Sequence, residues 1–72
     1  MRLIRIKEVM NRTGLARSTI YKFMKLGKFP KQVAIEGLAA WSEVEIDTWI
    51  YQKIEKRDKD QNERKLKHIL PA

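Results

Sequence analysis

The chain has 72 residues, two tryptophans, one histidine and no cysteine. A polypeptide this short buries only about 60% of the surface its unfolded form exposes, which leaves one small domain and no large internal substrate cavity. Without cysteine there is no disulfide framework, thiol nucleophile or Cys-based zinc finger, and His68 alone builds neither a metal site nor a triad. No enzymatic activity, metal or cofactor is therefore expected. No apolar stretch approaches the roughly 18–20 residues of a membrane span, and Met1-Arg2-Leu3-Ile4-Arg5 lacks the apolar segment of a secretory signal. The expected location is the cytoplasm, at the nucleoid.

Sixteen basic and nine acidic side chains give a net charge of +7. Residues 1–35 hold nine basic side chains and a single acid, Glu8, so the whole excess lies in the first half. Such a concentration is the electrostatic footprint of a polyanion binder, although a charged surface also serves solubility.

Leu3-Ile4-Arg5-Ile6 is a short β-type run. From Ile6 the apolar spacing turns helical, with Ile6, Val9 and Met10 on one face. No Ser, Thr or Asp caps this helix, and Thr13-Gly14-Leu15 ends it, with Leu15 placed to plug the corner. A second helix is predicted from about Arg17 to Leu26, stopped by Gly27 and Pro30. At about 100° per residue, Ile20, Phe23 and Met24 gather on one side and Arg17, Ser18, Tyr21, Lys22 and Lys25 on the other. Two short helices joined by a glycine-containing turn make a helix-turn-helix.

Gln32-Val33-Ala34-Ile35 and Leu38-Ala39-Ala40-Trp41 flank Glu36-Gly37 and read as a β-hairpin. Ser42-Glu43-Val44-Glu45 fits the S-x-x-E capping box and opens a third helix, with Ile46, Trp49, Ile50 and Ile54 on its core stripe. After Ile54 the segment from Glu55 to Lys65 has no apolar residue. It reads either as a charged helical extension, supported by pairs such as Glu55 with Lys59, or as a flexible tail. The expected fold is mostly α with a small β-hairpin. It comprises a short N-terminal strand and three helices, forming a winged helix-turn-helix over residues 1–54 with residues 55–72 outside it.

In such a module the second helix enters the major groove of double-stranded DNA, where base edges are distinguishable. This nominates Arg17, Ser18, Thr19, Tyr21 and Lys22. Arg17 can donate bidentately to guanine, and short Ser18 and Thr19 do not hold the helix away. Tyr21 is an aromatic residue whose angle argues against a core role. Thr19 lies toward the core boundary. Lys22 and Lys25 suit phosphates along the groove wall. The competing explanation is the wet side of an ordinary amphipathic helix. With six to ten phosphate contacts, affinity for duplex DNA is expected to fall on the order of 10³–10⁵-fold between about 50 and 200 mM salt.

The series Arg2-Leu3-Ile4-Arg5-Ile6-Lys7-Glu8-Val9, Thr13-Gly14-Leu15-Ala16-Arg17-Ser18-Thr19-Ile20-Tyr21-Lys22, Gly27-Lys28-Phe29-Pro30 and Trp41-Ser42-Glu43-Val44-Glu45-Ile46-Asp47-Thr48-Trp49-Ile50 resembles the AlpA-type prophage regulators. These are small proteins with a MerR-like or excisionase-like winged helix. The likeness spans about residues 2–54. It implies a sequence-specific DNA-binding transcriptional regulator of a prophage or integrated element, with its recognition helix on Arg17 to Lys25. It also implies either activation of an integrase gene or binding near attachment sites as an excision factor, with integrase or RNA polymerase as candidate protein partners. Two positions depart from the pattern. Ala16 stands where the family commonly has a capping Ser, which forgoes roughly 1 kcal/mol. The hairpin Glu36-Gly37-Leu38-Ala39-Ala40 carries no basic residue, so Lys28 and Lys31 at its entrance become the candidates for phosphate contacts on that side.

The remaining conspicuous residues have plain explanations. Trp41 and Trp49 fit core packing better than stacking on single-stranded bases, and Phe23, Met10 and Met24 are core at helical spacing. Glu43, Glu45 and Asp47 fall in the first turns of a helix, where the dipole favours anions. A rival from another class is a protein-interaction or antirepressor module using the third helix with Leu66, Ile69 and Leu70. That reading leaves the basic first half unexplained. Sequence alone leaves the oligomeric state open.

Overall fold

The computed structural model describes residues 2–69, with side chains as far as Asp60. In chain order the elements are β1 (Leu3–Ile4), α1 (Ile6–Thr13), α2 (Arg17–Lys25), β2 (Val33–Ile35), β3 (Leu38–Ser42) and α3 (Glu43–Ile69). Three helices and a small antiparallel sheet make a winged helix-turn-helix, as the spacing of apolar residues predicts.

α1 starts at Arg5 without a side-chain cap, and the Arg5 carbonyl accepts from the N–H groups of Glu8 and Val9 at 3.0 Å each. It ends where Gly14 takes φ 72°, a left-handed conformation that strains any residue with a Cβ, and donates its N–H to Met10 O at 2.8 Å. Thr13 holds the corner from both sides. Its hydroxyl donates to Val9 O at 2.8 Å and accepts from the Leu15 N–H at 3.3 Å. Leu15 in turn packs against the core. The helix-turn-helix angle is therefore fixed by hydrogen bonds local to the turn and by one apolar plug.

α2 begins on Ala16, which has extended geometry and contributes no side-chain cap. Serine there is expected to accept one of the free N–H groups of the first turn and raise stability by about 1 kcal/mol. Urea unfolding of Ala16→Ser followed by circular dichroism measures the gain. At the other end Gly27 and Lys28 donate back to Met24 O and Phe23 O at 3.0 and 2.8 Å, the paired bonds of a Schellman closure.

The strand order is β1-β3-β2, so the N-terminal strand does not stand alone but joins the hairpin as its third member. Leu3 pairs with Ser42 and Ile4 with Trp41, while Val33, Ala34 and Ile35 pair with Ala40, Ala39 and Leu38. Glu36 and Gly37 both have positive φ, 47° and 82°, the requirement of a two-residue type I′ turn. Side chains alternate across the sheet, which sends Ile4 and Trp41 into the core and leaves Val33, Ile35 and Leu38 exposed on the other face.

The core consists of Ile4, Val9, Ile20, Phe29, Trp41 and Ile46, drawn from each helix, two strands and the α2–β2 loop. Ile6, Met10, Phe23, Met24, Trp49 and Ile50 pack around it half-buried. The capping box before α3 is half formed: Ser42 Oγ accepts from the Glu45 N–H at 3.4 Å, and Glu45 stays exposed. The Glu43 N–H donates to Arg2 O at 2.8 Å, a bond that the β1–β3 pairing brings into place.

Glu43 and Asp47 do more than complement a helix dipole. Arg12 of α1 donates to Glu43 at 2.8 Å, to both oxygens of Asp47 at 3.1 and 3.2 Å, and to Glu8 one turn back at 3.1 Å. Its guanidinium pKa is raised, first by the hydrogen bond with Glu8 and then by Asp47 and Glu43, with desolvation opposing. A raised arginine pKa keeps the Arg12 guanidinium charged at any ordinary pH, since that charge is lost only as pH rises through a value above arginine's already high one. Beyond the globular part, among the described residues, Glu55 and Lys59 form no ion pair, whereas Arg57 pairs with Asp58 at 2.9 Å. The side chains of Leu66, His68, Ile69 and Leu70 lie outside the described residues.

Candidate nucleic-acid interface

The outward face of α2 consists of Arg17, Ser18, Tyr21, Lys22 and Lys25, all exposed. No acid lies anywhere on the helix. The inward face is Ile20, fully buried, with Phe23 and Met24 half-buried beside it. Thr19 is intermediate, on the flank between the two faces, as its angle predicts. The helix thus seats itself by one apolar stripe and offers three cations and two small hydroxyl side chains, Ser18 and Thr19, to whatever lies opposite.

Tyr21 lies on the outward face, as its angle predicts, and also makes a packing contact that the angle does not predict. It is 41% exposed, yet its ring stands edge-on to Trp41 with centroids 6.3 Å apart and planes at 69°. Edge-to-face contact of this kind holds an aromatic ring in place. Tyr21 therefore links the second helix to the strand at the base of the wing, a role its helical angle conceals because Trp41 is far away in sequence.

Lys28 and Lys31, both exposed, continue the positive surface beyond the end of α2. Lys28 is mounted rigidly. Its N–H donates to Phe23 O, and its own carbonyl accepts the indole N–H of Trp49 at 2.8 Å. Trp49 is itself held by Phe29, with ring centroids 4.8 Å apart. The burial of Phe29 escapes a reading based on periodicity because it lies in a loop, where apolar spacing has no period to follow. The hairpin tip carries Glu36 and exposed aliphatic residues, so the positive surface ends at its entrance.

Arg12 is excluded from this surface. Counted in sequence with the basic half, it is committed in space to Glu8, Glu43 and Asp47. The signal was present in part, since Glu8 lies at i−4 and Glu43 and Asp47 are themselves one turn apart. Only the fold brings the two sets together.

Residues 2–54, the whole of the helix-turn-helix, the wing and the first half of α3, match the family described as prophage CP4-57 regulatory protein (AlpA). The chain belongs to the AlpA family. Among similar proteins, the uncharacterized protein ORF88 of Enterobacteria phage P4 is 43% identical over 54 residues, covering 74% of this chain and 61% of that one. The chain thus spans about three fifths of the length of the phage P4 relative. The DNA-binding transcriptional activator AlpA of Escherichia coli K12 is 33% identical over 61 residues, covering 74% of this chain and 86% of that protein. No solved structure matches. Among the described residues, no helix is long and apolar enough to cross a membrane. The AlpA match stops at residue 54, where α3 loses its last apolar residue before the charged segment.

Proposed function

We propose that this AlpA-family chain is a non-enzymatic regulator of phage origin that binds double-stranded DNA sequence-specifically and controls transcription of a prophage or integrated element. The observation that carries the reading is the α2 surface: three exposed cations and no acid on the helix that follows the Gly14 turn. The DNA-binding activity named for the Escherichia coli relative supports it. In this mechanism Arg17, near the start of α2, donates to a guanine edge, with Ser18, Thr19 and Tyr21 contacting bases or nearby phosphates. Lys22, Lys25, Lys28 and Lys31 displace counterions along the backbone. Tyr21 adds rigidity, since its contact with Trp41 fixes the angle between the reading helix and the wing.

Base readout and phosphate contact respond differently to substitution. Selection of bound sites from random duplexes, read by sequencing, defines the preferred site. Arg17→Ala is then expected to flatten preference at one base pair, a loss of about 1–3 kcal/mol in discrimination. Lys28→Ala is expected to weaken preferred and random duplexes equally. Equal effects of the two substitutions on preferred and random duplexes would remove Arg17 from base readout.

A further inference from the structure

A second surface, separate from the outward face of α2, lies along α3. Two adjoining hollows of about 250 and 260 Å³ open there, with Trp49 and Lys53 forming part of the wall of each. The first runs from Leu15, at the helix-turn-helix corner, across Ile50 and Ile54 to Arg57. The second reaches Phe23 and Lys28. The floor is apolar and includes Ile54, which is 43% exposed although it lies on the core stripe of α3. An isoleucine left that open on the apolar side of a helix is surface that a binding partner can bury.

The charged side chains that line this groove are all basic, with Asp58 outside the lining and paired to Arg57. Lys28, Lys53 and Arg57 line it, and no carboxylate does. Lys53 lies across the floor, its ammonium 5.3 Å from the centre of the Trp49 ring, and Arg57 is held by Asp58 at the far end. The floor is preformed, because the Trp49 indole is pinned to the Lys28 carbonyl and packed against Phe29. The two hollows share Trp49 and Lys53 as a common wall, and an occupant that fills both needs neighbouring apolar anchors, which a helix presents three or four residues apart.

We propose that the groove of Leu15, Phe23, Trp49 and Ile54, bordered by Lys53 and Arg57, is a docking site for an acidic amphipathic helix of a partner protein. Two apolar side chains of that helix, three or four residues apart, fill the hollows, and its carboxylates meet the cationic rim. A second copy of this chain is the poorer match in charge, since the apolar residues of α3 beyond Ile54, Leu66 and Ile69, stand in sequence among Arg64, Lys65 and Lys67, of the same sign as the rim. A regulator with this groove holds DNA with α2 and a protein with α3, using different residues except at Lys28, where the two surfaces meet.

The test is a random-peptide library panned on the full chain and counter-selected on Ile54→Glu, which removes peptides bound elsewhere, the basic face of α2 included. The surviving peptides are expected to carry Leu, Ile, Met or Phe one turn apart among Asp and Glu. They are expected to shift the Trp49 indole N–H resonance and to lose at least about tenfold in affinity for Lys53→Glu. Both variants are expected to keep duplex affinity within about threefold, since neither residue lies on the α2 face. The proposal is overturned if no peptide survives counter-selection, if the survivors are neutral or basic, or if Lys53→Glu binds them unchanged. Self-association in sedimentation that Ile54→Glu abolishes would assign the groove to a second copy and overturn it equally.

Discussion

Trp41→Ala is expected to remove about half of the stability of this domain and to lower its urea midpoint in proportion. Trp41 is fully buried, its partner across the sheet is Ile4, and Tyr21 rests edge-on against its ring. Truncation of a buried tryptophan to alanine costs about 3–5 kcal/mol. Domains are stabilised by roughly 0.05–0.15 kcal/mol per residue, so a chain of this length has about 4–10 kcal/mol in all. The loss is also shared, because Trp41 is where the sheet, the recognition helix and the core meet. Trp41→Phe separates shape from polarity. The buried indole N–H of Trp41 meets no protein acceptor among the described residues, so phenylalanine removes no hydrogen bond to the rest of the fold. Its expected cost is about 1–2 kcal/mol, from lost volume alone. Urea unfolding of both variants, followed by circular dichroism, gives the comparison. If phenylalanine proves as damaging as alanine, the indole N–H has a partner and its polarity contributes to stability.

What the sequence discloses and what it hides divide along one line. Local chemistry is legible: the Gly14 turn, the cap missing at Ala16, the Glu36-Gly37 hairpin and the Ile46-Trp49-Ile50 stripe each follow from neighbours within a turn or two. Exposure of the α2 cations follows from the same periodicity. Long-range pairing is not legible. Nothing in Leu3-Ile4 indicates that its partner is Trp41-Ser42, nor in Arg12 that Glu43 and Asp47 lie opposite. Tyr21 shows the consequence at the candidate site. A helical wheel places it among the hydrophilic residues, and only the wing strand passing beneath gives it a packing partner.

The fate of Arg12 changes the expected response of DNA binding to salt. The cations on α2 and at the entrance of the wing are Arg17, Lys22, Lys25, Lys28 and Lys31. With Arg17 on a base edge and each of the four lysines on one phosphate, the slope of log affinity against log salt is about −3 to −4, and affinity falls roughly 10²-fold between about 50 and 200 mM. That is less than the loss expected from six to ten contacts. Individual substitutions then sort the cations. Lys28→Ala is expected to make the slope shallower by about one. Arg12→Gln is expected to leave it unchanged, because the Arg12 charge already faces Glu8, Glu43 and Asp47 and releases no counterion on binding. Arg12→Gln should instead destabilise the fold by loosening α1 from α3, so slope and urea midpoint move in opposite patterns for the two variants. Fluorescence anisotropy titrations at four or five salt concentrations read the slopes. A slope of about −6 would recruit Arg2, Arg5 and Lys7 to the duplex and extend the interface onto the start of α1. A flat response would remove phosphate contact, and with it the role assigned to the α2 surface.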